Sequence, residues 1–171
     1  MRRVMEEPEP SAESAMLLKW LTGQRQHVLG ILEGLSDSDL RRPMLPSGWT
    51  CLGLVQHLAL DVERFWFRNV VAGEPMQPGA EDDNAWQVGP EVRADDVLSL
   101  YQREIELADA IITRTGLDAA PAWWPDFFGS FRLDNLREIM LHVIAETACH
   151  AGHLDAAREL IDGRTWLILT G

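Results

Sequence analysis

Positive charge is scarce in this sequence. Its 171 residues include 15 lysines and arginines against 27 aspartates and glutamates, which gives a formal net charge of −12. A protein that binds nucleic acid neutralises phosphates with clustered basic side chains, and anionic membrane surfaces attract the same clusters. Only Arg2-Arg3 and Arg41-Arg42 form basic doublets here. We therefore expect neither a nucleic acid nor a membrane as a partner.

Cysteine and long apolar runs are equally scarce. Cys51 and Cys149 are far apart and belong to no Cys-x-x-Cys motif, so the sequence predicts no structural disulfide and favours a reducing, cytoplasmic compartment. No stretch approaches the roughly 18 apolar residues of a membrane span. The first residues also lack the apolar core of a secretory signal, because glutamates and prolines follow Arg2-Arg3.

Motifs of several enzyme classes are missing too. The sequence contains no Gly-x-Ser-x-Gly, no glycine-rich phosphate loop and no His-Glu-x-x-His. Phosphoryl transfer, dinucleotide redox chemistry and zinc-protease chemistry therefore have no support. The overall composition, with 46% hydrophobic and 25% charged residues, is that of a folded protein whose length favours one domain.

Apolar residues recur at helical spacing in four segments, at about 11–35, 51–72, 95–115 and 135–162. Thr50 and Asn135 are residues that cap helix N-termini, and Gly73, Gly116 and Gly163 are residues that end helices. No hairpin signal interrupts the pattern. The links between the helices are about 15 to 20 residues long, which is more than neighbouring helices in a bundle usually need. The sequence therefore predicts an all-α protein, a four-helix bundle with long crossover links.

We expect a single folded domain with two short extensions. Residues 1–10 are acidic and contain two prolines, so they are predicted to be a disordered lead. Residues 11–163 are predicted to form the bundle domain. Residues 164–171 are a short, mostly apolar C-terminal tail that the pattern assigns to no element.

The fourth predicted helix carries the most informative group of residues. His150 lies near the middle of its apolar stripe, Glu146 lies one turn earlier on the flank, and His153 lies towards the edge. Burial of a carboxylate is costly unless the charge is paired, and a buried histidine needs partners for both ring nitrogens. A divalent metal ion would satisfy both side chains. A glutamate–histidine pair that satisfies itself without a metal is the alternative.

The second predicted helix offers a third ligand. His57 borders its apolar stripe, with Asp61 one turn further on the same side. If the second and fourth helices pack together, His57 can face the Glu146/His150 pair. Three protein ligands with an open position are typical of catalytic zinc and also suit other divalent transition metals. His153 is left open as a third ligand, an outer-shell partner or a proton shuttle.

Three segments together resemble the DinB/YfiT-like superfamily of metal-binding four-helix proteins, and are closest to its uncharacterised mini-circle branch. They are the stretch Pro46–Phe67 around His57, the stretch Leu136–Gly163 with Glu146-Thr-Ala-Cys-His150-Ala-Gly-His153, and the connection Gly34-Leu-Ser-Asp-Ser-Asp-Leu-Arg-Arg42. The resemblance covers most of residues 15–163.

The resemblance implies a bundle that is often dimeric and a metal bound by His57, Glu146 and His150. Zinc or nickel is the expected ion. Common members have histidine at the position of Glu146, whereas the mycothiol-dependent maleylpyruvate isomerase branch has glutamate, as here. Common members have glutamine at the position of His153, so the resemblance does not decide whether His153 is a ligand. A low-molecular-weight thiol is the expected cosubstrate.

These observations lead to three hypotheses. The first is a divalent-metal-dependent enzyme, a thiol S-transferase or isomerase with a small-molecule substrate. His153 or Asp61 would be an outer-shell base, and four tryptophans would wall the cleft: Trp49, Trp86, Trp123 and Trp124. The second is a non-catalytic, metal-stabilised homodimeric module that serves in interactions or in a stress response. The third is a plain bundle without metal.

Overall fold

Polar side chains begin the helices at the predicted positions. The Thr50 hydroxyl accepts a hydrogen bond from Gly53 N–H, and the Asn135 side chain accepts one from Glu138 N–H. Ser11 caps the first helix in the same way. Gly163 adopts the left-handed conformation, with φ of 78°, and ends the last helix as predicted. The sequence thus encodes most helix ends through local capping chemistry.

The computed structural model describes residues 11–76 and 84–166, and within these ranges it is all-helical, without a strand. The fold class predicted from the sequence is confirmed. The helices are α1 (Ala12–Leu32), α2 (Asp37–Leu40), α3 (Cys51–His57), α4 (Ala94–Arg114) and α5 (Leu136–Asp162). A π-helical segment, Leu58–Val71, continues α3 directly, and a short 3₁₀ turn, Asp126–Phe128, precedes α5.

Two features of these helices differ from the prediction. Helix α1 ends at Leu32 rather than Leu35, because Glu33 leaves the helical conformation and Gly34 follows with φ of 79°. The second long helix has the predicted extent, but from Leu58 onwards its hydrogen bonds are wider, as in the bond from Ala72 N–H to the Phe67 carbonyl five residues earlier. Long π-helical segments are rare, and apolar periodicity does not distinguish them from α-helix.

Side-chain pairs give the direction of each helix. His27 meets Asp155 and Ile31 meets Arg158, so α1 and α5 are parallel. His57 lies by His150 and Trp66 by His142, so α3 with its π-helical continuation runs antiparallel to α5. The start of α1 lies by the end of α4, and its end by the start of α4. The end of the π-helical segment and the start of α4 therefore lie at opposite ends of the bundle, as the predicted crossover requires.

A buried ion-pair network crosses the core. The Arg25 guanidinium donates two hydrogen bonds of 2.7 Å to the Glu63 carboxylate and one of 2.7 Å to Asp109. Burial alone would lower the pKa of Arg25, but the facing Glu63 and Asp109 carboxylates raise it. Arg25 therefore stays charged inside the protein, and α1, α4 and the π-helical segment are joined by a network that the sequence analysis did not identify.

Most residues at the two ends of the chain lie outside the ranges that the structure describes. The predicted lead, residues 1–10, and residues 167–171 of the predicted tail lie outside the described residues. Trp166 is described, and its indole stacks on His27 and packs against Gly30 of α1. None of the described helices combines the length and the apolar character that a membrane crossing requires.

Candidate metal centre

The three predicted metal ligands come together between α3 and α5. His57 is the last residue of α3, and Glu146 and His150 lie one turn apart on the facing side of α5. One nitrogen or carboxylate oxygen from each residue lies within 4.8 Å of the other two. Two imidazoles and one carboxylate form a donor set that suits zinc and other divalent transition metals.

The spacing of the donor atoms fits a shared ion. Glu146 Oε1 lies 3.2 Å from His150 Nε2, and the His57 and His150 rings are 5.1 Å apart between centroids. Ligand atoms held at about 2.0 to 2.1 Å in a tetrahedral site are roughly 3.3 Å from one another. The Glu146–His150 spacing therefore accommodates an ion. With a proton on Nε2 in place of an ion, the same contact is a hydrogen bond.

Asp61 orients the His57 ring. Its Oδ2 atom lies 2.8 Å from His57 Nδ1, one helical turn away. A carboxylate on one ring nitrogen favours the tautomer that has its free lone pair on the other, which is the arrangement around many metal-bound histidines. The structure thus places Asp61 beside a candidate ligand, with His57 Nε2 available to an ion.

His153 lies beside the candidate ligands and is exposed. Its Nδ1 atom is 3.4 Å from Nδ1 of His150, but it does not belong to the group of donor atoms that converge from His57, Glu146 and His150. Metal binding through His150 Nε2 would leave a proton on His150 Nδ1, which can be donated to His153. Of the roles that the sequence left open, this position fits an outer-shell partner best.

Electrostatics keep His150 in its metal-binding form. Burial lowers the pKa of His150, and the neighbouring His57 lowers it further, while Glu146 acts in the opposite direction. The imidazole is therefore neutral at neutral pH, as a metal ligand must be. Burial raises the pKa of the Cys51 thiol to about 11, so Cys51 is not an activated nucleophile.

Two of the four predicted cleft tryptophans lie at this centre. The Trp86 indole stacks on His57 with centroids 4.2 Å apart and an interplanar angle of 21°, and it lies edge to face with the His150 ring, with centroids 5.6 Å apart. Trp49 lies 6.1 Å from His153. Trp123 and Trp124 instead join an aromatic cluster further along the same side of the bundle, with Phe65, Trp66, Phe127, Phe128 and Phe131.

This aromatic cluster borders the metal centre by way of His142. The His142 ring meets Trp66 at 4.7 Å and Phe131 at 6.1 Å, and it lies one turn before Glu146 on α5. Helical periodicity assigns no role to His142, and in the structure its ring packs against the aromatic rings of Trp66 and Phe131. The side of the bundle that carries the metal centre is thus continued by a partly exposed aromatic surface.

A comparison with known protein families found a family model that covers the candidate metal ligands. The family model described as Mycothiol-S-transferase matches residues 16–163, which include all five helices almost completely and the three candidate ligands. No curated protein matches the chain. The family match confirms the DinB-like resemblance, while the assignment to the mini-circle branch stays a prediction.

Proposed function

Because the chain belongs to the mycothiol-S-transferase family, we propose that it joins a low-molecular-weight thiol, through its sulfur atom, to a small electrophile at a metal centre formed by His57, Glu146 and His150. The family match favours S-transfer over the isomerase alternative. The observation that carries the proposal is the convergence of three candidate ligands, from two helices, in a chain matched over residues 16–163. We place this reaction in the cytoplasm, where thiols are kept reduced.

The donor set is suited to holding a thiol in its reactive form. His57, Glu146 and His150 would hold a divalent ion, zinc or nickel, and its positive charge would keep a nearby thiol deprotonated at neutral pH. Two neutral imidazoles and one carboxylate would offset only part of that charge. Three protein ligands would leave the centre open to the thiol.

The surrounding residues complete the reaction. Asp61 holds the His57 ring in place through the 2.8 Å contact to Nδ1. We assign to the exposed His153 the uptake of the thiol proton at its Nδ1 lone pair, which gives up the contact with His150 for that step, and the release of the proton to water. The thiolate sulfur then attacks the electrophilic carbon, and a carbon–sulfur bond forms as the leaving group departs or as a proton is added to the product. The partly exposed aromatic cluster lies where an apolar part of the electrophile can pack.

The first experiment combines metal analysis with a transfer assay. The full chain, purified without a nickel column, is expected to hold close to one equivalent of a transition metal and to conjugate mycothiol to a chromogenic electrophile. His57→Ala and His150→Ala should lose both properties. His27→Gln is the matched control, because His27 pairs with Asp155 away from the centre. Less than about a tenth of an equivalent of metal in the unaltered protein contradicts the proposal.

The two alternatives give different results in the same experiment. A non-catalytic, metal-stabilised module would bind the metal, but the ligands of the ion would not change when a thiol is added. A plain bundle would bind no metal, and His57→Ala would then leave both metal content and thermal stability nearly unchanged.

We further propose that the chain forms a homodimer through the outward face of α5. Leu141 and Leu160 are 51% and 55% exposed on this face. Between them, the same face carries small exposed residues: Ala145, Cys149, Gly152 and Ala156. The residue types of this face form a palindromic pattern about the midpoint between His150 and Ala151. Leu141 corresponds to Leu160, Ala145 to Ala156 and Cys149 to Gly152. An isologous, antiparallel pairing of two copies brings such equivalent positions together.

Sedimentation velocity is expected to show a dimer that Leu160→Glu dissociates. Leu107→Glu is the control, since Leu107 is 45% exposed on α4 and lies outside this face. A monomeric unaltered chain, or an intact Leu160→Glu dimer, contradicts this interface.

A further inference from the structure

The turn Asn84–Gln87 is fastened to α3 beside the candidate ligand His57. Gln56, the residue before His57, donates its side-chain amide to the carbonyls of Ala85 at 2.9 Å and Gln87 at 3.2 Å. Within the turn, the Asn84 side chain accepts a hydrogen bond from Trp86 N–H at 3.1 Å. Ala85 is buried against the bundle. The amide of Gln56 therefore holds the backbone on both sides of Trp86.

Gly53 allows the same turn to approach α3 closely. A Cβ atom at position 53 would overlap the Trp86 carbonyl oxygen, which is backbone and cannot move without moving the turn. Gly53 lies one turn before His57 on α3. The helix that ends with a candidate ligand thus also carries, within its last five residues, both features that bring Trp86 onto that ligand.

The indole of Trp86 covers one face of the His57 ring. The two rings are nearly parallel with centroids 4.2 Å apart, while the indole and the His150 ring are steeply inclined to each other with centroids 5.6 Å apart. Asp61 fixes His57 from a different direction, in the ring plane at Nδ1. A hydrogen bond at one nitrogen still permits the ring to rotate about the line of that bond, and stacking against a fixed indole opposes this rotation.

We propose that Trp86, held by Gln56 and Gly53, is a positioning residue of the metal centre. It fixes the plane of the His57 imidazole so that Nε2 is directed towards Glu146 and His150. This inference rests on the proposed metal centre, but it concerns a residue outside the donor set and a contact that the family match does not specify. Its consequence is that the turn Asn84–Gln87 controls metal affinity without contributing a ligand atom.

The first test measures metal affinity of the full chain against a chromophoric chelator. Trp86→Ala is expected to weaken binding of Zn²⁺ or Ni²⁺ by about 10-fold to 100-fold, as loss of other outer-shell partners does. Trp86→Phe, which can still stack, should stay within a few-fold of the unaltered protein. Trp20→Ala is the matched control, because Trp20 is 62% exposed on α1. Gly53→Ala should reproduce the effect of Trp86→Ala while leaving the indole in the protein.

The second test uses fluorescence, which reports whether Trp86 lies close to the bound ion. Co²⁺ quenches nearby indoles, so titration should quench part of the tryptophan emission. The quenched part should be smaller in Trp86→Phe, which still binds the ion, and unchanged in Trp20→Phe. Unchanged metal affinity in a folded Trp86→Ala protein overturns the inference, and so does a quenched part that is undiminished in Trp86→Phe. Absence of metal binding by the unaltered protein would instead refute the metal centre itself.

Discussion

Asp61 Oδ2 lies 2.8 Å from Nδ1 of His57, so Nε2 is the nitrogen of that ring left to bind an ion shared with Glu146 and His150. The contact links an exposed carboxylate on the π-helical segment to the last residue of α3. It selects the tautomer that can bind a metal and adds negative charge behind the ligand, which makes the imidazole a stronger donor. The metal centre therefore extends beyond the three residues that offer ligand atoms.

Asp61→Ala should weaken metal binding without unfolding the protein. We expect a loss of about 10-fold to 100-fold in affinity for Zn²⁺, because the His57 ring loses the partner that fixes its tautomer. Asp61→Asn should lose less, since the amide oxygen can still accept the Nδ1 proton. Chelator competition measures both variants, and Glu106→Ala, at an exposed position on α4, serves as the control. Equal affinity in Asp61→Ala and Glu106→Ala would show that the contact is incidental.

The buried His150 should make the stability of the metal-free protein sensitive to acid. The pKa of His150 is lowered in the folded state from its usual value of about 6.5, chiefly by burial. The folded state therefore binds fewer protons than the unfolded state, so the stability associated with neutral His150 is present above that pH and is lost as the pH falls below it. Thermal melting between pH 7.5 and 5.5 should show a larger drop for the unaltered chain than for His150→Gln. An equal or larger drop in His150→Gln contradicts the lowered pKa.

The buried ion pair of Arg25 should be important for folding but not for metal binding. Arg25→Met would leave Glu63 buried without its partner, which should cost about 3 to 5 kcal/mol of unfolding free energy. The double variant Arg25→Met with Glu63→Met should recover much of that loss. Urea unfolding measures both. Arg93→Ala is the control, because its bridge to Asp95 is exposed and should contribute less than about 1 kcal/mol. No recovery in the double variant would assign the cost to packing.

The protein's own cysteines should play no part in thiol transfer. Cys51 is buried with its pKa raised to about 11, whereas Cys149 is exposed. Brief treatment of the folded Leu160→Glu variant, in which the proposed dimer is dissociated, with iodoacetamide should therefore give one adduct, and treatment of the unfolded chain two, by mass spectrometry. Cys149→Ala should conjugate mycothiol to an electrophile at the rate of the unaltered protein. Loss of transfer in Cys149→Ala would instead make this thiol the nucleophile.

The candidate ligands could be predicted because helical periodicity is a local property. It places Glu146 and His150 on one face of α5 and His57 on the inner side of α3. The one further assumption that the prediction needed was that these two helices pack against each other. The relation of Asp61 to His57 follows from the same spacing of four residues. The capping residues and terminal glycines, which act within a few residues, predicted the helix ends with similar success.

The features that the sequence did not reveal depend on tertiary contacts. Trp86 reaches His57 only because a distant turn folds back onto Gly53 and Gln56, and no pattern within residues 73–93 encodes that return. The partners of Arg25 come from two other helical segments. In the sequence alone, a charged residue of this buried network looks the same as a charged residue on a solvent-exposed helix face. The four tryptophans were grouped by residue type, but Trp123 and Trp124 pack with phenylalanines away from the ligands.

The proposed function requires a thiol sulfur to bind to an ion held by His57, Glu146 and His150. The absorption spectrum of the Co²⁺-substituted protein, recorded as mycothiol is added, tests this binding. A sulfur-to-cobalt charge-transfer band should saturate at one equivalent of thiol per bound ion and be absent in His150→Ala. A spectrum that shows bound Co²⁺ but does not change at any thiol concentration would contradict thiol binding at this centre.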